Sequence, residues 1–330
     1  MGYVTQGGGR PTVYVAGSLF LDIVMAGLNH APRPGEEQWV AGSGIMPGGV
    51  ANQAVACARL GMISSVITYV GQDRAGRWVS EMLAEDNVDM SLAEHTGHQN
   101  ITVSLVMEGD RALTTHGADE VPLPPEGIAA PTIFMASLPY LMRAREHVER
   151  WREQGTIVIA DTGWDETGQW PVEHLHALEV ADVFVPNCAE AQHYTRTLTF
   201  EDAARELTRY VPTVVVTCGG EGVHVSRRDG DNIQTEVFSA ISVDAIDTTG
   251  AGDAFSAGFA TGLATGASLA DSIHVGQCAA AWTVSRIGGS CAAPTMHELI
   301  DWVENNGELN ELVGYSVRAV QSRVNGVTTQ

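Results

Sequence analysis

The chain has 330 residues, enough for one large α/β domain or two ordinary ones, and its 44% hydrophobic content fits a globular protein built around a core. A formal charge of −22 opposes binding to nucleic acid or to an anionic membrane, and it leaves any anionic substrate dependent on a metal ion or on backbone amides. All 18 basic side chains are arginine, and without lysine a Walker phosphate loop, a protein-kinase site and Schiff-base chemistry are excluded, because each needs an amine.

In chain order, residues 1–11 are expected to form a flexible tail, Gly7-Gly8-Gly9 included, since no strand precedes those glycines. Met1 to Arg10 lacks the apolar core of a signal sequence, and no apolar run approaches the roughly 18 residues of a spanning helix, so the expected location is cytoplasmic. Val13 to Ala16 reads as a strand ending at Gly17, and Gly49 to Leu60 as a helix stopped by Gly61. Ser65 to Val70 is a second strand, and Gly76 to Glu85 a helix. Ile133 to Ala136, Thr156 to Ala160, Val183 to Val185 and Val214 to Val216 are further short apolar runs, with helical stretches at about 141–154 and 171–179 between the first three. A strand-like segment, Val237 to Ile246, precedes the closing helices Gly250 to Leu263, Leu269 to Arg286 and Met296 to Asn305. Continuous apolar strands alternating with helices predict a parallel sheet covered on both faces, with ligands at the carboxyl ends of its strands. Residues of about 18–47 and 98–119 break the pattern with polar alternation and a turn at Glu108-Gly109-Asp110, which predicts a small antiparallel flap. Residues 306–330 are weakly patterned and read as a C-terminal tail. Cys57, Cys188, Cys218, Cys278 and Cys291 are scattered and never in CxxC, as reduced structural thiols would be.

The string Asp247-Thr248-Thr249-Gly250-Ala251-Gly252-Asp253-Ala254-Phe255 opens an apolar helix. Its glycines let backbone N–H groups approach an anion, the helix N-terminus adds positive potential, and Asp253 in the first turn is placed to accept a proton from a hydroxyl. The same residues also allow a plain helix start, with Thr248 or Thr249 as cap and Asp253 complementing the dipole. Two further strings stand out. In Pro47-Gly48-Gly49-Val50-Ala51-Asn52 a glycine pair lets the backbone hug a ligand, with Asn52 one turn in; in Asn187-Cys188-Ala189-Glu190 the spacing of three brings Asn187 and Glu190 together, as a metal corner or as a capping box.

The first string resembles the C-terminal signature of the PfkB family of carbohydrate kinases, and the other two resemble that family's N-terminal signature and its NxxE motif. The resemblance covers roughly residues 12–305 and implies a ribokinase-like three-layer α/β/α sandwich with a mostly parallel central sheet and a small β-strand lid. It implies that Gly250, Ala251, Gly252 and Asp253 form an anion hole with Asp253 as general base, and that ATP is the phosphoryl donor with Mg²⁺ organised by Asn187 and Glu190, mainly through water. Thr217, Gly219 and Gly222 match a loop that contacts ATP, and Gln277 matches a position lining the adenine pocket, although the residue alone also reads as an exposed helix position. Asp247, Thr249, Arg286 and Gly289 stand at the positions of a monovalent-cation (K⁺) site. Asp22, Gly48, Gly49 and Asn52 match acceptor-binding positions. Phe20 stands where ribokinases usually carry Asn and Val50 where they often carry Lys, so the apolar face of a sugar or a nucleobase would pack on Phe20. Arg111 in the flap resembles a feature of fructokinase-like members, against the plainer reading of a surface arginine. The implied activity is transfer of the γ-phosphoryl group of ATP to a small unphosphorylated sugar by a homodimer. Nucleoside kinase activity and a non-catalytic sugar-binding regulatory role are the alternatives.

Overall fold

The computed structural model describes residues 9–107, 110–118, 120–163, 165, 167–286, 288 and 292–325. The first half comprises β1 (Thr12–Ala16), β2 (Leu19–Leu28), β3 (Gly42–Gly49), α1 (Val50–Arg59), β4 (Ile63–Ile67), β5 (Tyr69–Gly71), α2 (Arg74–Glu85), β6 (Glu94–Thr96), β7 (Asn100–Met107) and β8 (Asp110–His116). The second half comprises β9 (Ile133–Ser137), α3 (Leu138–Arg143), α4 (Arg145–Glu153), β10 (Ile157–Asp161), a 3₁₀ stretch (Val172–Val180), β11 (Val183–Phe184), α5 (Cys188–Thr195) and α6 (Phe200–Leu207). It continues through β12 (Thr213–Thr217), β13 (Val223–Asp229), β14 (Asn232–Phe238), α7 (Ala251–Ala264), α8 (Leu269–Val284), α9 (Met296–Glu304) and α10 (Gly307–Val324).

The main sheet has eight strands in the order β14-β13-β12-β11-β10-β9-β1-β4. It is parallel from β4 to β12, and β13 and β14 return antiparallel. Alternation along each strand sorts the core into two layers, as the two-residue period of a strand requires. Val13, Val15, Ile133, Met135, Ile157 and Ile159 pack with α1, α7, α8, α9 and α10, whereas Phe134, Ala136, Val158, Ala160 and Phe184 pack with α3 to α6. This is the expected α/β/α sandwich. Because β1 lies between β4 and β9, the chain reverses its direction of travel there, and a crevice opens above the carboxyl ends of β1 and β9.

The lid is present but mixed rather than antiparallel, in the order β3-β2-β7-β8 with β2 and β7 parallel. Buried Gln99 sets that direction: its Nε2 donates to Leu19 O (2.6 Å) and its Oε1 accepts the Gly71 N–H (3.0 Å). Both strands are thus pinned to the body at their first residues and leave it side by side. Two other expectations are corrected, and one hairpin is added. Val237 to Ile246 is not a strand: β14 ends at Phe238, and the chain runs irregularly from there to the start of α7. The β13–β14 hairpin was not foreseen, although Gly230 (φ +59°) between Asp229 and Asp231 supplies its turn. Residues 306–330 are not a tail over most of their length, because α10 buries Leu309, Val313, Val317, Val320 and Val324. Those positions lie on one helical stripe, which packs on α8 and α9. Residues 1–8 and 326–330 lie outside the described residues. Among the described residues no helix is long and apolar enough to cross a membrane.

Candidate active site

Above β1 and β9 lies a cavity of 290 Å³ whose wall includes Ser18, Phe20, Gly49, Asn52, Gln53, Ser137, Asp161, Thr162 and Asp253. Its shape depends on the glycine pair that ends β3. Gly49 sits at φ +63°, and a Cβ there would come within 2.2 Å of Ser18 O and 2.6 Å of the Phe20 ring. A Cβ on Gly48 would lie 1.9 Å from Asp22 Oδ2. The pair therefore serves first to let β3 lie against β2 and its carboxylate. The Val50 N–H then donates to Ser18 O (3.0 Å), and α1 starts with Asn52 on the cavity wall. Asp22 is two residues beyond Phe20 on β2 and so shares its face.

Asp161 ends β10. The structure makes it a second carboxyl of this cavity, with Oδ2 accepting from Gln53 Nε2 (2.6 Å) and Oδ1 from the Thr162 N–H (2.7 Å). Burial pushes its pKa up to about 6 against those two hydrogen bonds. Gln53 was missed, because adjacency to Asn52 gives no sign that it turns inward to a strand 108 residues away. The backbone of Arg111 pairs with Val106 in the row of Ala26, which is six residues along β2 from Phe20 and so roughly 20 Å distant at strand rise. The side chain of Arg111 lies outside the described ones.

Asp253 enters the same cavity from the first turn of α7. The helix starts at Gly250 in the left-handed region (φ 73°), so its N-cap position is a glycine rather than Thr248 or Thr249. Asp247 shapes this start, its Oδ1 accepting the Thr249 N–H (2.9 Å) and its Oδ2 the Gly288 N–H (3.2 Å). The thiol of buried Cys57 in α1 is pushed up to about 12, by burial first and by the charge of Asp253 second. It is therefore a neutral neighbour of that carboxylate.

The other side of the same turn faces a second cavity, of 560 Å³, lined by Ala251 and Gly252. Its walls include Asn187, Thr217, Gly219, Gly220, Gly222, the segment around Ala240 to Ala245, Gln277, Ala281 and Val284, and none of its described lining residues is charged. Gly222 has φ +95°, and a Cβ there would collide with Phe238 O at 2.1 Å. Gln277 is buried, not exposed, and its Nε2 donates to Ser239 O (2.8 Å), which holds the irregular segment after β14 against α8. That segment had been read as a strand, so its part in the wall was missed.

Asn187 and Glu190 form a complete capping box. Asn187 Oδ1 accepts the Glu190 N–H (3.0 Å), and Glu190 Oε2 accepts the Asn187 N–H (2.8 Å). The pair nonetheless suits Mg²⁺, since its donors are all oxygen and Asn187 stands on the rim of the uncharged cavity. Burial, with Asp161 nearby, raises the Glu190 carboxyl to about 7, the condition a divalent cation would relieve. Of the monovalent-cation positions, Asp247 and Thr249 are joined as described above. Arg286 lies 3.4 Å over the Trp282 ring and donates to Trp282 O (2.9 Å). Gly289 lies outside the described residues.

The model of the pfkB family carbohydrate kinases matches residues 12–296. The chain is 29% identical to the ribokinase of Haemophilus influenzae over 316 residues, covering 90% of this chain and 99% of that one. It is 31% identical to a fructokinase of Escherichia coli over 282 residues, covering 77% of this chain and 90% of that one. Its fold is that of Arabidopsis thaliana ribokinase complexed with ribose and ATP, with a TM-score of 0.74, 22% identity and coverage of 88% of this chain and 98% of that one.

Proposed function

The chain belongs to the pfkB family of carbohydrate kinases, and from that premise we propose that it transfers the γ-phosphoryl group of ATP to a hydroxyl of a small unphosphorylated sugar, with Asp253 as general base. It is a carbohydrate kinase and binds ATP. One observation carries the rest: the first turn of α7 separates two cavities, with Asp253 on the wall of one and Ala251 and Gly252 on the wall of the other. An attacking hydroxyl in the smaller cavity and a γ-phosphate over the helix N-terminus would meet across a single turn.

In this reading Asp22, Gly48, Gly49 and Asn52 hold the sugar hydroxyls, and Phe20 packs on its apolar face. Asp253 takes the proton as the oxygen attacks, and the N–H groups at the start of α7, which have no intrahelical acceptors, stabilise charge on the transferring group. Thr217, Gly219 and Gly222 form the nucleotide side, and Gln277 supports it. Asn187 and Glu190 would hold Mg²⁺ through water, and the ion would supply the positive charge that the uncharged cavity lacks. A potassium ion beside Asp247, Thr249, Arg286 and Gly289 is a further part of the proposal; activity unchanged on replacing K⁺ by a quaternary ammonium ion would remove it. Arg111, whose side chain lies outside the described ones, is a further part of the proposal as an acceptor contact.

The acceptor cavity, at 290 Å³, is at the small end of the about 300–1,000 Å³ of ligand pockets, which favours a monosaccharide. Phe20 in its wall favours the second reading, a nucleoside that stacks on the ring. A panel of sugars and nucleosides with ATP·Mg²⁺ separates the two by ADP release. Ligand binding without ADP release from any acceptor would instead favour a regulatory sugar-binding protein. The outer lid face carries the proposal that the protein is a homodimer. Ile23, Ile45 and Val103 share one cross-strand row and Met25 and Leu105 the next, with Ile45 52% and Met25 36% exposed. A second lid would cover them, and a single-chain mass by light scattering would overturn that part.

A further inference from the structure

Two thiols meet at the edge of the donor cavity without belonging to its wall. Asn187 and Thr217 form a parallel bridge where β11 and β12 end, and the Thr217 N–H donates to Pro186 O (3.0 Å). The next residue on each segment is a cysteine. Directly paired parallel strands lie about 4.8 Å apart, inside the roughly 4.4–6.8 Å range of Cα separations that a disulfide spans. Cys188 Sγ reaches Thr217 O at 3.5 Å, so its thiol is turned toward the segment that carries Cys218. Both are free thiols. Cys188 is half-buried and Cys218 is buried, so one sulfur is open to a reagent and the other waits behind it. Cys57 and Cys278 are fully enclosed in the core.

We propose that Cys188 and Cys218 are a dithiol–disulfide switch, closed by a hydroperoxide, that controls the nucleotide site. The Cys188 thiolate attacks a peroxide oxygen, the O–O bond breaks, and the departing oxygen takes up a proton as water or alcohol, leaving a sulfenic acid. The Cys218 sulfur then attacks the Cys188 sulfur, the S–O bond breaks, and water leaves with the Cys218 proton. Two electrons pass from the thiols to the peroxide, and a thiol reductant restores the pair. The bond draws the two sulfurs to bonding distance. Because Cys188 is the first residue of α5 and follows Asn187 directly, and Thr217 and Gly219 flank Cys218, closure shifts three wall residues of the donor cavity. The control rests on the reading of that cavity as the ATP site; the disulfide chemistry does not.

The test uses the intact reduced protein treated with excess hydrogen peroxide, quenched with an alkylating agent and analysed by peptide mass spectrometry beside ATP-binding calorimetry. The expected product is a cross-linked pair of peptides holding Cys188 and Cys218 with two hydrogens lost, while Cys57 and Cys278 are alkylated only after unfolding. The ATP dissociation constant should rise about fivefold or more, the worth of one displaced hydrogen bond, and return with dithiothreitol. Cys188→Ser and Cys218→Ser should each keep ATP affinity through the same treatment. Cys188 halting at sulfenic or sulfinic acid with Cys218 still alkylatable would overturn the pairing. A disulfide that leaves ATP affinity unchanged would overturn the switch while leaving the kinase reading intact. A reduced protein that binds no ATP would overturn the donor-site reading and the control with it, whatever the mass spectra show.

Discussion

The two cavities on either side of α7 are built from different parts of the chain. The donor cavity has no charged residue among its described walls and is shaped by glycine turns, a helix N-terminus and an irregular segment pinned by Gln277. The acceptor cavity is walled by side chains that can discriminate: Asp253, Asp161, Asn52, Gln53 and Phe20. Main-chain amides present the same groups whatever the neighbouring side chains are, so a nucleotide site of this kind can be kept while residues drift. A site made of side chains can change its ligand when one of them changes, and Phe20 is one such side chain in this wall. The proposed site is compatible with the absence of lysine. In the proposed site phosphate charge would be met by backbone N–H groups and a divalent cation, so an amine is not required.

The contrast can be broken at three points. Asp253→Asn keeps the shape of the turn and removes the base, so kcat should fall by about 10²-fold or more while the Kd for ATP barely moves; near-normal turnover in a steady-state assay would end the base assignment. Asp22→Ala removes a carboxylate from the acceptor side alone. At about 1.5–3 kcal/mol for hydrogen bonds to a charged group, KM for the acceptor should rise roughly 10- to 100-fold with little change for ATP, and a change confined to ATP would move Asp22 to the other cavity. Gly252→Ala adds a Cβ that meets no protein atom within 4 Å on a wall of the donor cavity. A thermal melt should show stability unchanged or higher by about 0.5–1 kcal/mol, as for alanine over glycine in a helix. Meanwhile kcat/KM for ATP should fall about tenfold, a modest part of what a lost oxyanion donor costs. Unchanged kcat/KM would mean that no phosphate group approaches this turn.

Much of the framework was legible because its signals are local. Apolar runs located the parallel strands, and glycine and asparagine strings located the starts of α1, α5 and α7. Misreadings arose where a long-range contact decides. Gln99 reaches back 80 residues to Leu19 and sets the lid parallel where alternation alone suggested a flap of hairpins. The stretch after Phe238 has strand-like composition, yet Gln277 holds its backbone from 38 residues away and leaves it irregular. α10 carries its apolar residues on so narrow a stripe among polar neighbours that its pattern reads as a tail until α8 and α9 offer it a surface.

The sequence by itself determined the chemistry available: a carboxylate one turn into a glycine-led helix, an oxygen-rich pair spaced three apart, and no amine. Those are properties of neighbouring residues, and local backbone geometry fixes them wherever the segment lies. Only the tertiary structure decided that α7 begins between two cavities, that Asp161 and Gln53 join Asp253 at one of them, and that Cys188 and Cys218 follow paired residues beside the other. Each of these depends on which strand lies next to which in the sheet, and that order is set by packing both faces of the sheet at once, a condition that no single stretch of sequence contains.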